Sequence, residues 1–374
     1  MIGYIHILTY MERCDDMSKA DGMRYAPKGK AKPVVKGGEF VFAATALRHG
    51  HIYGMVNGLL EAGATLGWVY DTDPAELERF CAEYPQARVA RSLQEILDDR
   101  NVRMVAAADV PNDRARLGMA VMDAGKDYFT DKTPFTTLEQ VEAVRAKATQ
   151  TGQKYMVYFS ERLHSEAAIY VGQLVHAGEI GRVLQVIGLG PHRLNAPTRP
   201  GWFFNREQYG GILCDIGSHQ IEQFLFFTGA KDATVTHSQV ANYNHPAYPE
   251  LEDFGDATLL GDNGATHYFR VDWFTPDGLG SWGDGRLFLL GTKGYIEARK
   301  YINPGVDKGG DTVLCVNGEA ERLVNVAGKV GFPFFGEMLL DCLHRTERAM
   351  TQEHILAAGR LCIEAQMMAR KIEP

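Results

Sequence analysis

The feature that most limits how this chain can fold is a regular alternation of short apolar runs and helical patterns in its first half. Each apolar run has the length of a buried strand, and each following segment has the spacing of an amphipathic helix. The strand-like runs lie at residues 40–45, 65–70, 88–90, 102–108, 127–130 and 154–158. Strands that alternate with helices at this spacing form a parallel sheet with helices on both faces. We therefore predict a doubly wound α/β domain over residues 39–160, with residues 1–38 as an N-terminal extension and arm.

The pattern changes after residue 160, where strand-like runs follow one another without long helices between them. These runs lie at residues 183–188, 234–242, 256–260, 266–273, 286–290, 295–300 and 312–316. Helical patterns return near the end of the chain, at residues 334–350 and 353–371. We predict an α+β domain over residues 161–374, with a largely antiparallel open sheet. Phe269, Val271 and Trp273 alternate along one strand, so we expect their apolar face to join copies in a homodimer or homotetramer.

Charge and composition exclude several classes of partner. The 374-residue chain carries 39 Lys and Arg against 47 Asp and Glu, a net charge of −8, and it has no basic run along a helical face. We therefore expect no nucleic-acid partner, and no apolar run is long enough to predict a membrane span. The six cysteines lack CxxC spacing, which predicts reduced thiols in a cytoplasmic protein. Because a natural start follows at Met17, we expect residues 1–16 to be an upstream extension or an added segment.

Two glycines, Gly210 and Gly211, precede the stretch that is most typical of a catalytic site. Asp215 and His219 follow, four positions apart, which places both side chains on one face of a helical turn. A carboxylate beside a histidine raises the basicity of the imidazole and fixes its tautomer, which suits proton transfer near neutral pH. The alternative is a buried Asp–His pair that only caps a helix.

Ligands of a doubly wound sheet bind at the carboxyl ends of its strands, so the first loop should hold a pyrophosphate. That loop, residues 44–54, offers only Gly50 and Gly54 and lacks the usual GxGxxG pattern. The helix that follows would still present free N–H groups to a phosphate. We expect the cofactor contacts of this loop to come from His49, Gly50, His51 and Ile52. The two histidines could also serve a metal ion, but no Cys, Asp or Glu lies nearby as a third ligand, so we predict no metal site.

The second predicted strand ends at Asp71, about 20 positions beyond Gly50, where such folds place a ribose-binding carboxylate. An acidic side chain there would bind the hydroxyls of an adenosine ribose and repel a 2′-phosphate. Because Thr72 and Asp73 supply no cation, we predict NAD rather than NADP as the cofactor. The alternative for Asp71 is a solvated residue in front of a helix that begins with proline.

Lys132 follows the fifth predicted strand, within the run Asp131-Lys132-Thr133-Pro134. A lysine at the carboxyl end of a parallel strand projects into the ligand crevice, where it can stabilise negative charge that develops on a substrate oxygen. The alternative is a solvent-exposed lysine in a loop, which is the commoner case in general.

Four short motifs occur in order along the chain. They are Val110-Pro111-Asn112, Asp131-Lys132-Thr133, the stretch from Gly210 and Gly211 through Asp215, Gly217 and His219 to Glu222, and Gly291-Thr292-Lys293-Gly294. In this order and spacing they resemble the signatures of the Gfo/Idh/MocA oxidoreductases, whose first domain is a Rossmann dinucleotide-binding domain. The resemblance extends from residue 39 to residue 372. The chain departs from the family pattern where Leu47, His49 and Ile52 replace loop glycines and where Thr133 replaces a proline.

The resemblance implies hydride transfer between a nicotinamide and a hydroxyl-bearing carbon of a sugar, polyol, inositol or related carbohydrate. It implies that His219 moves the hydroxyl proton, Asp215 orients His219, and Lys132 holds the substrate oxygen. Further cofactor contacts are expected from Val110, Pro111, Asn112 and Asp131, and substrate contacts from Arg162, His192, Asn195 and Trp202. Arg162 could instead form a surface salt bridge, and Trp202 could belong to the core.

Two other functions are compatible with these residues. One is a hydrolase or lyase that retains NAD and works by transient oxidation, so that no reduced cofactor accumulates. The other is a non-enzymatic sensor that binds a dinucleotide. Sensors of this kind tend to lose the lysine or the histidine, and this chain keeps both Lys132 and His219.

Overall fold

The first domain is built on a six-stranded parallel sheet in a computed structural model that describes residues 21–28, 31–305 and 309–373. Its strands are β1 (Val41–Thr45), β2 (Thr65–Tyr70), β3 (Arg88–Val89), β4 (Val102–Ala107), β5 (Asp127–Asp131) and β6 (Tyr155–Tyr158). Its helices are α1 (His51–Glu61), α2 (Pro74–Glu83), α3 (Leu93–Asp98), α4 (Arg114–Asp123) and α5 (Leu138–Thr151). The strand order is β3-β2-β1-β4-β5-β6, so the winding reverses between β1 and β4. The predicted doubly wound fold is confirmed, while the prediction for residues 1–16 lies outside the described residues.

Side-chain caps fix the loops that face the carboxyl edge of this sheet. Thr137 and Gln140 form a reciprocal capping box at the start of α5. The Gln140 amide also donates to Asn112 O at 2.9 Å, which ties the turn after β4 to the turn after β5. At the start of α2, Asp73 accepts the N–H of Ala75 at 2.9 Å. Local sequence therefore positions the loops in which the predicted site residues lie.

The second domain carries a nine-stranded mixed sheet. Its strands are β7 (Val183–Pro191), β8 (Ala233–Ala241), β9 (Phe254–Gly261), β10 (Thr266–Asp272), β11 (Arg286–Gly291), β12 (Gly294–Arg299), β13 (Thr312–Asn317), β14 (Glu321–Asn325) and β15 (Arg370–Ile372). Its helices are α6 (Ser160–Leu163), α7 (Glu166–His176), α8 (Arg206–Tyr209), α9 (Ile212–Asp215), α10 (Gly217–Thr228), α11 (Pro333–His344) and α12 (Gln352–Met368). The order is β14-β13-β12-β11-β7-β10-β9-β8-β15, with parallel pairs only at β7–β10 and β8–β15 among the described strands. The predicted largely antiparallel sheet is confirmed.

The apolar strand face that we expected to form an interface is covered within the chain. Phe269 and Val271 are fully buried and Trp273 is nearly so, because α9 and α10 pack on this face. A Cβ placed on Gly217 of α10 would lie 3.2 Å from the Phe269 ring. The opposite face of the sheet exposes large side chains at Leu260, Tyr268, Leu290 and Tyr295. The choice of interface residues was therefore wrong, and the homodimer or homotetramer stays a prediction.

The C-terminal helices return to the first domain. Phe335 of α11 packs so closely on α1 that a Cβ on Gly58 would lie 2.3 Å from its ring. α11 ends at His344 and not at residue 350 as predicted, because Arg345 takes a left-handed backbone with a φ of 56°. Among all the helices in the part of the chain that is described, none has both the length and the apolar character needed to cross a membrane.

Candidate active site

The crevice between the two domains holds a closed cavity of about 20 Å³, which is room for about one water molecule. Its wall comes from three separate parts of the chain: residues 21–28, here called the covering segment, the loops after strands of the first domain, and the second domain. Its polar lining comprises Tyr25, His49, His51, Lys132, Ser160, Glu161, His192, Arg199, Asp215 and His219. The three predicted catalytic residues therefore meet on one cavity, although they come from different domains.

Lys132 reaches the cavity directly after the last residue of β5. Its Nζ forms an ion pair with Asp215 Oδ1, and both side chains are largely buried. The Arg114 guanidinium holds this turn by donating to the carbonyl oxygens of Lys132 and Thr133 and to Asp131 Oδ2. The peptide bond between Lys132 and Thr133 is cis. Sequence analysis missed Arg114, although its position shortly after β4, at the carboxyl edge of the sheet, could have indicated it.

The glycines before α9 are required by the backbone and by a close contact. Gly211 has a φ of 94°, and a Cβ there would lie 2.3 Å from Gln366 Oε1 of α12. The same amide oxygen accepts the N–H of Leu213 at 3.0 Å, and Glu252 accepts the N–H of Ile212 at 2.8 Å. The start of α9 is thereby attached to the rest of the second domain, which positions Asp215 at its end.

Asp215 and His219 both line the cavity, but no hydrogen bond joins their side chains. The helical hydrogen bonding changes between them: Ser218 Oγ donates to Asp215 O at 2.8 Å, and His219 N–H donates to Ile216 O at 3.1 Å. α9 therefore ends at Asp215, and its carboxylate pairs with Lys132. His219 Nδ1 is buried without a hydrogen-bond partner among the described residues. The expectation that Asp215 orients His219 is therefore wrong, because Asp215 pairs with Lys132 instead.

A second lysine–carboxylate pair lies at the same cavity and was not predicted. Lys300 forms an ion pair with Glu161 Oε2, and each side chain is at most 2% exposed. Burial raises the pKa of Glu161, but the charge and hydrogen bond of Lys300, together with the charge of Lys132, outweigh burial and hold this pKa below its usual range. Burial lowers the pKa of His219 well below its ordinary value, although Glu161 opposes the shift. His219 is therefore a neutral imidazole near pH 7. Glu161 follows β6 and Lys300 follows β12, so a charged residue just after a predicted strand could have indicated both members of this pair.

A separate open cleft of about 510 Å³ lies where β1, β2 and β4 end. Asp71 lies in its wall and accepts the N–H of Leu47 at 2.7 Å and the N–H of Asp73 at 2.8 Å. Arg48 reaches the same place: its Nη2 is 3.2 Å from Asp71 Oδ1 and donates to Thr72 Oγ1 at 2.7 Å. The argument that no cation lies near Asp71 was therefore wrong, because the loop after β1 supplies one. The cleft and its carboxylate fit the adenosine part of a dinucleotide.

The segment after β4 reaches this cleft through Asp109, Val110 and Asp113. Val110 lines it, whereas Pro111 is buried. The carbonyl of Asn112 is bonded to Gln140, and its side-chain oxygen is buried without a partner among the described residues. Of the three predicted cofactor contacts in this turn, Val110 alone is placed to meet a ligand in the cleft.

The N-terminus of α1, where we expected the pyrophosphate, lies beneath the covering segment. A Cβ on Gly50 would be 2.4 Å from Met23 O, so only glycine permits this contact. The first N–H groups of the helix are already used: His51 N–H donates to His49 Nδ1 and Ile52 N–H donates to His49 O, both at 3.2 Å. The Ile52 side chain is fully buried. A dinucleotide can therefore use this terminus only after the covering segment has moved.

The covering segment is attached to the second domain at Asp21 and Tyr25. Tyr25 Oη donates to His164 O at 2.7 Å, and its ring packs on Trp282 with centroids 5.7 Å apart. Asp21 accepts from Asn195 Nδ2 at 3.2 Å. Asn195, which we expected to bind substrate, thus binds this segment and does not line the cavity.

The other predicted substrate residues lie in three different surroundings. His192 lines the cavity and packs on Trp282, with ring centroids 4.5 Å apart. Trp202 lines the open cleft instead. Arg162 forms a buried ion pair with Glu222, so it neither enters the crevice nor lies on the surface. Glu222, the last residue of the family-like motif, explains this placement because it offers Arg162 a buried carboxylate.

Two histidines of the cavity wall form a buried cluster with Asp131. His51 Nδ1 lies 2.9 Å from Asp131 Oδ1, and His49 Nδ1 lies 3.3 Å from Asp131 Oδ2. Burial lowers the pKa of His49 well below its usual value. Burial raises the pKa of Asp131, but His51, His49 and Arg114 outweigh it and hold the pKa far below its usual range. Our prediction of no metal site assumed that no third ligand was near, which is wrong because β5 ends beside this loop.

Two family models match the chain in order. The model of the Gfo/Idh/MocA oxidoreductases with an NAD-binding Rossmann fold matches residues 51–159. The model of the Gfo/Idh/MocA C-terminal domain matches residues 169–297. Together they cover the first domain from α1 to β6 and more than half of the second domain.

Several proteins are similar to this chain. The crystal structure of a protein from Erwinia carotovora atroseptica SCRI1043, classed as an oxidoreductase, is 52% identical, with a TM-score of 0.87 over 90% of this chain and 100% of that chain. The NAD(+)-dependent scyllo-inositol 2-dehydrogenase of Bacillus subtilis strain 168 is 25% identical over 240 residues, which are 63% of this chain and 66% of that protein. The NADP(+)-dependent scyllo-inositol 2-dehydrogenase of the same strain is 25% identical over 180 residues, 47% of this chain and 48% of that protein.

The chain spans about half the length of the curated relatives that it matches. The two family models nevertheless cover both domains, and the similar crystal structure extends over nine-tenths of the chain. This chain therefore belongs to the Gfo/Idh/MocA oxidoreductase family.

Proposed function

We propose that this chain is an NAD-dependent oxidoreductase that transfers hydride between the nicotinamide and a hydroxyl-bearing carbon of a carbohydrate-like substrate. The observation that carries this proposal is the meeting of Lys132, Asp215 and His219 on one closed cavity after β5. A cation, a carboxylate and a neutral imidazole around one small space can bind a hydroxyl, move its proton and stabilise the resulting oxyanion. Family membership supports the redox class of the reaction.

Lys132 and His219 have separate roles in this mechanism. The ammonium of Lys132 is held away from bulk water by its pairing with Asp215, so it would act on a substrate oxygen with little screening. His219, kept neutral by burial, would accept the hydroxyl proton during oxidation and return it during reduction. When bound, the nicotinamide supplies the site for hydride. Asp71 and Val110 would hold the adenosine part in the open cleft.

We propose NAD rather than NADP on the charges of the open cleft. Asp71 presents a carboxylate to the position of the ribose, and Arg48 is already engaged by Asp71 and Thr72. A 2′-phosphate would have to compete with Asp71 for this guanidinium. The two scyllo-inositol dehydrogenase relatives use different cofactors, so relatives alone leave the choice open.

A carbohydrate-like substrate is supported by the lining of the cavity. Trp273 and Trp282 offer aromatic faces, and His192 can bond hydroxyl groups as a neutral imidazole because burial lowers its pKa to about 3. The cavity of about 20 Å³ is too small for a sugar, so entry of substrate also requires the covering segment to move. The same movement would admit both substrate and nicotinamide.

The test is an assay with NAD and a panel of inositols, pentoses and hexoses, in which absorbance of reduced nicotinamide and loss of the sugar are both measured. We expect one equivalent of reduced cofactor for each equivalent of sugar oxidised. Loss of a sugar without accumulation of reduced cofactor would instead indicate transient oxidation. Failure of the purified chain to bind either dinucleotide in calorimetry would refute the proposal.

A further inference from the structure

The cluster of His49, His51 and Asp131 is more tightly organised than a chance contact between polar side chains. All three residues are almost completely buried, at 5%, 5% and 0% exposure. One ligating atom from each lies within 4.8 Å of the others. The two imidazole Nδ1 atoms converge on the two oxygens of one carboxylate, at 3.3 and 2.9 Å.

His51 cannot be satisfied in this geometry as a neutral imidazole. Its Nδ1 lies 2.9 Å from Asp131 Oδ1 and its Nε2 lies 2.8 Å from Gly22 O, and both oxygens are hydrogen-bond acceptors. A neutral imidazole has a single N–H, so one nitrogen would direct a lone pair at an oxygen. A second proton or a metal ion on Nδ1 removes this conflict.

His49 shows a related conflict at the same carboxylate. Its Nδ1 accepts the N–H of His51 at 3.2 Å and so carries a lone pair, yet it lies 3.3 Å from Asp131 Oδ2. Two lone-pair atoms at this distance repel each other unless positive charge lies near both. A proton on His51 does not resolve the contact at His49. A cation between the nitrogens and the carboxylate resolves both, with the His49 Nδ1 lone pair directed to the ion in place of the long hydrogen bond from the His51 N–H.

The surroundings supply the outer contacts that metal-binding side chains usually have. An imidazole ligand commonly donates its other N–H to a backbone carbonyl, as His51 Nε2 is placed to do toward Gly22 O. A ligating carboxylate is commonly bonded by a further donor, and Arg114 Nη2 lies 3.4 Å from Asp131 Oδ2. These contacts orient the three side chains toward one point.

We propose that His49, His51 and Asp131 bind one divalent transition-metal ion through the two imidazole Nδ1 atoms and the carboxylate. Two imidazole nitrogens and one carboxylate oxygen are a donor set suited to Zn²⁺ and Fe²⁺. Both histidines line the cavity that also contains Lys132 and His219, so the remaining coordination positions would take water or a hydroxyl oxygen there. This inference does not rest on the proposed dinucleotide chemistry.

The experiment measures metal binding directly on the full chain, without an affinity tag, after treatment with EDTA. Zn²⁺ and, under anaerobic conditions, Fe²⁺ are titrated by calorimetry, and bound metal is counted by elemental analysis after gel filtration. We expect one ion per chain for the unmodified protein. His49→Gln and Asp131→Asn should each weaken binding by roughly a hundredfold or more, because each removes a direct ligand.

The matched control is His245→Gln. His245 Nδ1 lies 2.8 Å from Asp253 Oδ2, so it is a His–Asp pair outside the cluster, and its loss should leave stoichiometry and affinity unchanged. Should Asp131→Asn fail to fold because Arg114 loses its partner, His49→Gln decides the result. Absence of stoichiometric Zn²⁺ or Fe²⁺ binding, or equal binding by His49→Gln and unmodified protein, would overturn the proposal. Neither result depends on NAD or a sugar, so failure of the metal site is distinguishable from failure of the proposed oxidoreductase function.

Discussion

The open cleft and the closed cavity are neighbours, joined where the rings of His49 and Trp202 lie 6.4 Å apart, but they are built in opposite ways. The cleft, of about 510 Å³, is lined mainly by the first domain, with Trp202 and Gln208 added from the second. The cavity, of about 20 Å³, takes its wall from the covering segment, the first domain and the second domain. One is open and local, and the other is closed and assembled from distant segments.

Because of this difference, water screens ion pairs to a different extent in the cleft and in the cavity. In the cleft, the Asp71 side chain is buried but its partner Arg48 is 32% exposed, so water screens their interaction in part. In the cavity, Lys132, Glu161 and Lys300 are removed from water, so each requires a partner from another segment to offset the loss of hydration. The proposed function therefore assigns chemistry to the cavity and cofactor recognition to the cleft.

The largest effect should come from removing the cavity's proton-transfer and oxygen-binding groups. His219→Ala and Lys132→Met should each lower kcat on the order of a hundred- to ten-thousand-fold. Affinity for the dinucleotide, measured by fluorescence titration, should change little, because we propose that the adenosine part binds in the cleft. A folded His219→Ala protein with near-normal turnover would contradict this division of roles.

Loss of Lys300 should act on stability rather than on cofactor recognition. Lys300→Met leaves Glu161 buried without its partner, which typically costs about 3–5 kcal/mol of unfolding free energy. Urea unfolding followed by circular dichroism measures this change. The matched control is Arg322→Met, because the pair of Arg322 with Glu179 is exposed and its loss should leave the midpoint near that of the unmodified protein. Equal midpoints for both variants would show that the buried pair is not required.

Acid should lower the stability of the fold through three buried histidines, one of which, His192, lines the cavity. Burial lowers the pKa of His192 and His164 to about 3 and that of His267 to about 4, against 6.5 when unperturbed. The unfolded chain therefore binds more protons than the folded chain below pH 6.5, so stability falls as pH falls. Each histidine should cost about 2 kcal/mol by pH 5. A urea midpoint that is unchanged from pH 7 to pH 5 would contradict the burial of these rings.

Displacing the covering segment should open the cavity and the N-terminus of α1 to solvent, as the cleft already is. Gly50→Ala places a methyl group against Met23 O, which must move the segment away from α1. Suppose that the covering segment prefers its closed position over an open one by about 1.4 kcal/mol. Removing this preference should raise dinucleotide affinity about tenfold, because a larger fraction of molecules can then bind the cofactor. Faster proteolysis within the covering segment is the second readout. Unchanged affinity and unchanged proteolysis would show that the segment does not control access.

The smallest effect should appear in the cleft itself. Asp71→Ser should narrow the preference for NAD over NADP by roughly fivefold at most, since its partner Arg48 is 32% exposed and an ion pair with an exposed member contributes about 0.2–1 kcal/mol. Arg48→Ala is the control in the opposite direction, because it removes the nearby cation and should widen the preference. Calorimetry with both dinucleotides measures the change. Unmodified protein that binds NADP tenfold more tightly than NAD would contradict the assignment of Asp71.

Sequence alone was sufficient for the two folds and for several positions within them. Hydrophobic periodicity and helix caps act between residues close together in the chain, so the strand ends that carry Asp71 and Lys132 could be predicted. The motif around Asp215 and His219 also indicated the correct cavity. The prediction that Asp215 and His219 contact each other was wrong, because the helical hydrogen bonding changes between them and Asp215 pairs with Lys132.

Only the tertiary structure decided which charged groups meet. Lys132 and Asp215 are 83 residues apart, His51 and Asp131 are 80 apart, and Lys300 and Glu161 are 139 apart. No periodic pattern links such pairs, because their contact depends on how two sheets and the covering segment pack together. Burial then determines the pKa values and the need for partners, and burial is a property of the assembled fold. The sequence determined where the chain would place its loops, and packing determined which side chains became a site.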